Sequence, residues 1–251
     1  HSLRLRALSP LVQSPDALLR GDVIHKVMER FVKSVMDDPA LLTTAQLLNI
    51  ARGVLDDLVP WPAARAIWLA KLARVADWFV EAERGRIATA TPVAFEKDAR
   101  GTLVLADLGF TLTGIADRID RNAAGEIQIY DYKTGTPPTA PQQRYFDKQL
   151  LIEAAMIEEG AFAAIDAAPV SRATFIGLGT QPDEVDAPLD EEPPQVVIEN
   201  LRKLLAAYLD PAQGFTARRM MEKVTFDGEF DHLSRYGEWD TSDAAQPEDL
   251  T

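Results

Sequence analysis

The segment Glu126-Ile127-Gln128-Ile129-Tyr130-Asp131-Tyr132-Lys133-Thr134-Gly135 constrains the fold more than any other, because its alternation predicts a strand that aims Asp131 and Lys133 to the same side as Ile127 and Ile129. A carboxylate and an ammonium then point where apolar side chains point. Burying unpaired charge costs several kcal/mol or shifts the pKa until the group is neutral, so such a strand calls for a further charged species. A metal cation answers that need; an Asp–Lys ion pair at a strand end is the alternative.

The segment upstream, Thr113-Gly114-Ile115-Ala116-Asp117-Arg118-Ile119-Asp120, repeats the pattern, with Asp117 sharing the parity of Ile115 and Ile119. Two neighbouring strands would each direct a carboxylate at one apolar-sided face. Like charges that close need a cation, and hard oxygen ligands favour Mg2+ or Mn2+. Asp120 has the opposite parity and reads as a solvated or turn-capping residue, with Arg118 on that outer face beside an acid.

Around these segments the period of the sequence changes once. Helical spacing runs from Leu18 to Met36 with Ile24, Val27, Met28, Phe31 and Val35 on one face, then over Thr44 to Leu58 and Ala63 to Arg84, the last two separated by Pro60-Trp61-Pro62. From about residue 90 strands are expected at Thr91 to Lys97, Thr102 to Asp107, Phe110 to Asp120 and Glu126 to Lys133, joined as an antiparallel meander. A helix from Gln142 to Glu159 with Phe146, Leu150, Ile152, Ala154 and Ile157 inward, a strand from Val170 to Leu178 and a helix from Pro193 to Leu209 follow, before a mostly irregular acidic end. The order predicts an α/β fold: a central mixed sheet flanked by helices, with an N-terminal helical extension and insertion. We divide the chain into a first helix (1–36), a helical insertion (40–85), a core (90–180) and a C-terminal helix with an acidic tail (190–251), all within one domain cut from a longer chain.

In the first helix, Gly21, His25 and Glu29 lie one turn apart on one side of the cylinder. Gly21 leaves room beside the imidazole, and His25 sits at the margin of the apolar stripe. A lone His in such a place is more often structural than ligating, so position alone does not make it a ligand. Glu96 reads as a solvated charge, with a role near a second metal as the alternative.

Taken together, Gly21-x-x-x-His25, Gly114 to Asp120, Asp131-Tyr132-Lys133-Thr134-Gly135 and Gln149-Leu150-Leu151-Ile152-Glu153-Ala154-Ala155 resemble the RecB-type branch of the PD-(D/E)xK nuclease superfamily, and within it the C-terminal nuclease domains of AddB subunits of bacterial helicase-nucleases. The likeness runs from Leu3 to Trp239. It implies a restriction-endonuclease-like core, with His25, Asp117 and Asp131 as metal ligands, the Tyr132 carbonyl completing the shell, Lys133 as catalytic lysine and Gln149 as the motif glutamine. It also implies Mg2+ or Mn2+ as cofactor, DNA with single-stranded ends as substrate, an AddA-type subunit and the remainder of a longer chain as partners, and double-strand break repair as the setting. The activity expected is that of an exonuclease; a catalytically silent DNA-binding or scaffolding module is the alternative. Many relatives carry Tyr four residues after the glutamine, whereas Glu153 stands here.

Composition narrows the field in the same direction. The chain has no cysteine, which excludes disulfides and the iron-sulfur cluster of other members of that branch, and a reducing cytoplasm is expected. No apolar run approaches the roughly 18 residues of a membrane span, so no membrane partner is expected. The net charge of -13 looks unsuited to phosphate binding, but residues 181–200 and 226–251 hold 15 of the 39 acidic residues and one basic residue. The remainder carries 24 acidic against 25 basic side chains, so the acidity is peripheral. No phosphate-binding loop of the Gly-x-x-x-x-Gly-Lys-Ser/Thr kind occurs, which places any ATPase outside these residues.

Overall fold

A computed structural model describes residues 14–213, 231–232, 235–240 and 242–243. The chain separates into two compact units, one of residues 14–199 and one of residues 1–13 with 200–251. In the second unit the described residues include an edge-to-face pair of Tyr236 and Trp239 rings at 5.7 Å. The motif residues from Gly21 to Glu153 all belong to the first. Most of the acidic tail and the first residues of the resemblance lie outside the described residues.

The first unit opens with three helices, α1 (Ala17–Asp37), α2 (Thr44–Leu58) and α3 (Pro62–Thr89). Their starts follow from local chemistry. Asp16 accepts a hydrogen bond from Leu19 N at 2.8 Å, Thr43 accepts one from Gln46 N at 3.2 Å, and Pro62 occupies a first-turn position whose missing N–H costs nothing. The apolar stripe of α1 packs with α2 and α3, Phe31 and Phe79 both lacking solvent exposure with ring centroids 6.1 Å apart. Burying each such ring stabilises the fold by about 1.5–3 kcal/mol relative to an exposed one.

The five-stranded sheet runs β1 (Ala90–Phe95), β4 (Arg118–Asn122), β5 (Ile127–Lys133), β6 (Val170–Gly177), β7 (Asp183–Asp186), in that spatial order. Only β5 and β6 are parallel; the connection between them carries α4 (Ala140–Tyr145) and α5 (Gln149–Glu158). The sheet is therefore mixed and flanked by helices, a restriction-endonuclease-like architecture. The helix α6 (Pro194–Leu209) follows β7. Among the described residues no helix is long and apolar enough to cross a membrane.

The expected four-strand meander is not what forms. β1 pairs with β4, while β2 (Arg100–Leu105) and β3 (Phe110–Ile115) make a separate two-stranded hairpin. The continuous strand expected from Phe110 to Asp120 is broken at Ala116-Asp117, where Ala116 N donates to Ala99 O and both Ala116 O and Asp117 O accept from Glu96 N. These bonds hold the chain as it passes from hairpin to sheet, and Ile115, expected beside Asp117 on an apolar face, is 40% exposed.

The helix expected over Gln142 to Glu159 is likewise two helices. A capping box formed by Thr139 and Gln142 starts α4, and Phe146 N and Asp147 N both donate to Gln142 O to close it. Phe146, expected to face inward, is 41% exposed in the break. β7 was not expected at all, because its Asp-Glu-Val-Asp composition disguises a short edge strand.

Arg118 and Asp120 require the largest correction. Asp120 was expected to be solvated or to cap a turn, and Arg118 to pair with an acid on that outer face; the pairing forms, but both residues are fully buried. α3 lies over that face of β4 and brings Glu83, also fully buried, within 2.7 Å of Arg118 Nη1. A charged residue of opposite parity is polar in pattern whether water or another charge covers it, so alternation alone could not separate the two.

Candidate metal-dependent active site

The site lies at the carboxyl end of β5. Register pairs Arg118 with Tyr130, which sets Asp117 opposite Asp131 just beyond the paired residues, and Asp117 Oδ2 accepts the Tyr132 N–H at 2.8 Å. From α1, His25 reaches the same edge: its Nε2 lies 2.7 Å from the Tyr132 carbonyl, and its Nδ1 lies 3.3 Å from Asp117 and 3.7 Å from Glu96. His25, Glu96 and Asp117 each present a ligand atom, all within 4.8 Å of one another.

Glu96 is thus not a freely solvated charge. It follows β1 directly, and Phe95 pairs with Arg118, so the next residue on each strand is Glu96 and Asp117 respectively. Glu96 adopts φ 46, a left-handed conformation rare for a residue with a side chain, in a single tight turn at Glu96–Asp98. In that conformation its carboxylate lies 3.7 Å from His25 Nδ1. The pairing of β1 with β4 was the missing signal.

Asp131 stands apart from that triad. Gln149 Nε2 donates to Asp131 Oδ1 at 2.6 Å, and Lys133 Nζ lies 2.9 Å from Asp131 Oδ2. Lys133 also donates to Gln149 Oε1 at 2.9 Å. Aspartate, lysine and glutamine therefore close a ring of three contacts, which the break before α5 makes possible by setting Gln149 in the helix's first turn. Asp131 Oδ2 is buried, and the Lys133 ammonium 2.9 Å away is its close charged partner.

The remaining motif residues fall in different places. Glu29 is held by Lys26 at 2.5 Å and Lys33 at 2.8 Å; burial pushes its carboxyl up, but the two ammonium groups keep it below the ordinary glutamate value. It belongs to an ion cluster on α1 rather than to the ligand triad. A Cβ at Gly21 would meet nothing within 4 Å, so the space beside it is open and protein packing does not demand glycine there. The Tyr132 carbonyl, expected to face a metal, is engaged with His25 Nε2. Glu153 is buried on α5, accepts from Gln149 Nε2 at 3.2 Å and leaves Oε2 without a partner.

Electrostatics sets this edge apart from ordinary surface acids. Burial, reinforced by the Asp131 charge, pushes Asp117 up to about 7, against the opposing pull of His25 and the Tyr132 N–H. Burial raises Glu96 too, and raises Glu153 to about 8. Carboxyls that resist ionisation together, with an imidazole among them, await positive charge. The donor set of His25, Glu96 and Asp117, carboxylate oxygens with one imidazole, fits Mg2+ or Mn2+.

A mixed sheet whose central strand ends in Asp-x-Lys, with a second carboxylate just before the adjacent strand and a glutamine opening α5, defines a restriction-endonuclease-like class. The PD-(D/E)XK nuclease superfamily model matches residues 1–230, and the chain belongs to that superfamily. An uncharacterized protein of Rickettsia bellii is 31% identical over 161 residues, 64% of this chain and 19% of that protein. Uncharacterized proteins of Rickettsia typhi and Rickettsia conorii are 31% and 28% identical over 57% and 64% of this chain. The chain spans about a fifth of the length of these relatives.

Proposed function

We propose that the chain is a Mg2+- or Mn2+-dependent deoxyribonuclease that hydrolyses phosphodiester bonds as an exonuclease on single-stranded ends. In this reading it works as an AddB-type nuclease segment, fed by an AddA-type helicase subunit during recombinational repair of double-strand breaks. The observation that carries the reading is the juxtaposition of the His25, Glu96 and Asp117 donors with the Asp131, Lys133 and Gln149 ring at one strand end.

His25, Glu96 and Asp117, with Asp131 at the same edge, would hold the ion, which supplies Lewis acidity toward the phosphate and a lowered pKa for attacking water. Lys133 places a fixed ammonium beside the reacting phosphoryl group, where it orients the water and offsets negative charge as it builds. Gln149 restrains that ammonium through its amide oxygen while its amide nitrogen restrains Asp131. The Tyr132 carbonyl holds the imidazole of His25, so the chain that supplies Asp131 and Lys133 also orients the ligand arriving from α1.

The test uses end-labelled linear single-stranded DNA and a circular single strand, each with Mg2+ or Mn2+, comparing wild type with Lys133→Ala and Asp117→Asn. Linear DNA is degraded from its ends, the circle is spared, and each substitution slows cleavage by about 100-fold or more. Cleavage that survives both substitutions refutes the site. Wild-type binding without cleavage would favour the scaffolding module instead.

A further inference from the structure

Beside the carboxyl end of β5, on the side of α1 and α3, a cavity of about 590 Å3 opens between these helices and the loops that follow β5 and β6. Its floor is apolar, made by Trp68 and Leu72 of α3 and by Leu178, all nearly buried. Its rim is cationic. Lys71 and Arg74 are exposed, and neither makes an ion pair or hydrogen bond among the described residues. Arg20 donates to Thr134 Oγ1 at 3.2 Å while its buried Nε has no partner. Asp183 is the one carboxylate among the described lining residues, and it already accepts from Glu184 N at 2.9 Å. A volume of this size lies within the ~300–1,000 Å3 common for ligand sites.

The wall of the cavity is joined to the site already described. Thr134, Gly135 and Thr136, which line it, directly follow Lys133, and Ile24, which also lines it, directly precedes His25. The loop is rigidly placed: Leu178 N donates to Lys133 O at 2.7 Å, and a Cβ at Gly177 would lie 2.5 Å from Pro137 Cδ. Helical spacing puts Trp68, Lys71 and Leu72 on one face of α3, an aromatic surface with a cation beside it.

We propose that this cavity is a subsite for the DNA strand outside the scissile phosphate, with Arg20, Lys71 and Arg74 binding backbone phosphates and Trp68 and Leu72 receiving a base. The proposal rests on the nuclease reading for its substrate class. Phosphate binding uses cations not already neutralised by the protein, and base binding uses an aromatic or apolar floor next to them. This cavity supplies both, and it does so where the local excess of basic groups contrasts with the acidic charge of the whole chain.

The experiment measures anisotropy of a fluorescein-labelled oligothymidylate titrated with the 251-residue chain in EDTA over a range of salt. Lys71→Ala/Arg74→Ala is compared with wild type and with a matched exposed double variant, Arg30→Ala/Arg52→Ala. The first variant should bind roughly 10-fold more weakly at moderate salt, and its slope of log K against log salt should flatten by about 1.4, the value for two lost single-strand phosphate contacts. The matched variant should stay within about twofold of wild type, and hydrolysis of bis-p-nitrophenyl phosphate with Mn2+, which needs the reacting centre alone, should be the same in all three. Equal weakening in both double variants, an unchanged slope, or no DNA binding by wild type overturns the subsite. Loss of binding through Lys71 and Arg74 in a chain that cleaves no DNA would keep the subsite and remove the hydrolase reading, so the two failures are separate.

Discussion

Replacing Arg118 with Met should expose how much of this fold depends on a buried charge cluster beneath the site. The Arg118 guanidinium donates from Nε and Nη2 to Asp120 at 2.7 and 2.6 Å, and from Nη1 to both oxygens of Glu83 at 2.7 and 2.8 Å. Arg86 supplies a second cation, 2.8 Å from Glu83, and also reaches Glu184. Burial alone would lower the pKa of Arg118, but Glu83 and Asp120 drive it well above the ordinary arginine value, so it is charged at every working pH. Met fills a similar volume, yet it leaves Asp120 without its guanidinium and Glu83 with Arg86 alone. Removing one partner of a buried charge pair costs about 3–5 kcal/mol, and that loss is expected at pH 7. Burial already holds the Asp120 carboxyl above its ordinary value, and losing the Arg118 guanidinium removes the charge that opposes this; protonating Asp120 therefore stabilises the variant, and the deficit should shrink as pH falls. Adding Asp120→Leu removes the orphan and leaves Glu83 paired with Arg86; the double variant should return to within about 1.5 kcal/mol of wild type. Urea unfolding followed by far-UV circular dichroism, with unchanged m-values, reads all three numbers. A cost for Arg118→Met below about 1 kcal/mol, or a double variant worse than the single, would show that the cluster is not the interior anchor described.

Two further outcomes follow from the site. Because a protonated carboxyl cannot ligate and burial holds Asp117 near 7, Mg2+ affinity measured by calorimetry should strengthen by up to about tenfold per unit as pH rises toward 7 and level off above it; a profile flat from pH 5 to 8 would contradict that assignment. Gly177→Val should lower stability by about 1–3 kcal/mol in thermal unfolding, because its Cβ would collide with the Pro137 ring, and should slow cleavage by displacing the loop after Lys133; an unchanged melting temperature would show that the loop yields without cost.

Much of this architecture was legible in the sequence because period and chemistry agreed. The apolar stripe of α1, the proline before α3 and the alternation of β5 each encode a local rule, and the resulting boundaries lie close to those expected. The strand β5 also revealed its charges correctly: Ile127, Ile129 and Asp131 are all buried, with Lys133 half-buried beside them. What could not be read was which strand sits beside which. Adjacent segments in the sequence were taken as adjacent in the sheet, yet β2 and β3 form a hairpin of their own and leave β1 to pair with β4.

That one topological fact accounts for both errors in placing charged residues. Pairing Phe95 with Arg118 brings Glu96 to Asp117 at the open end of the pair, where His25 meets them. The same pairing holds β4 inside the sheet, so that α3 can close over its other face and bury Arg118 and Asp120 with Glu83. The two charged faces of β4 thus do different work: on one the charges are mutually satisfied, and at its leading end Asp117 is left with burial and a neighbouring carboxylate raising its pKa. A strand anchored by completed ion pairs can hold an incomplete one in place, and the incomplete one is where a cation and a phosphate can be received.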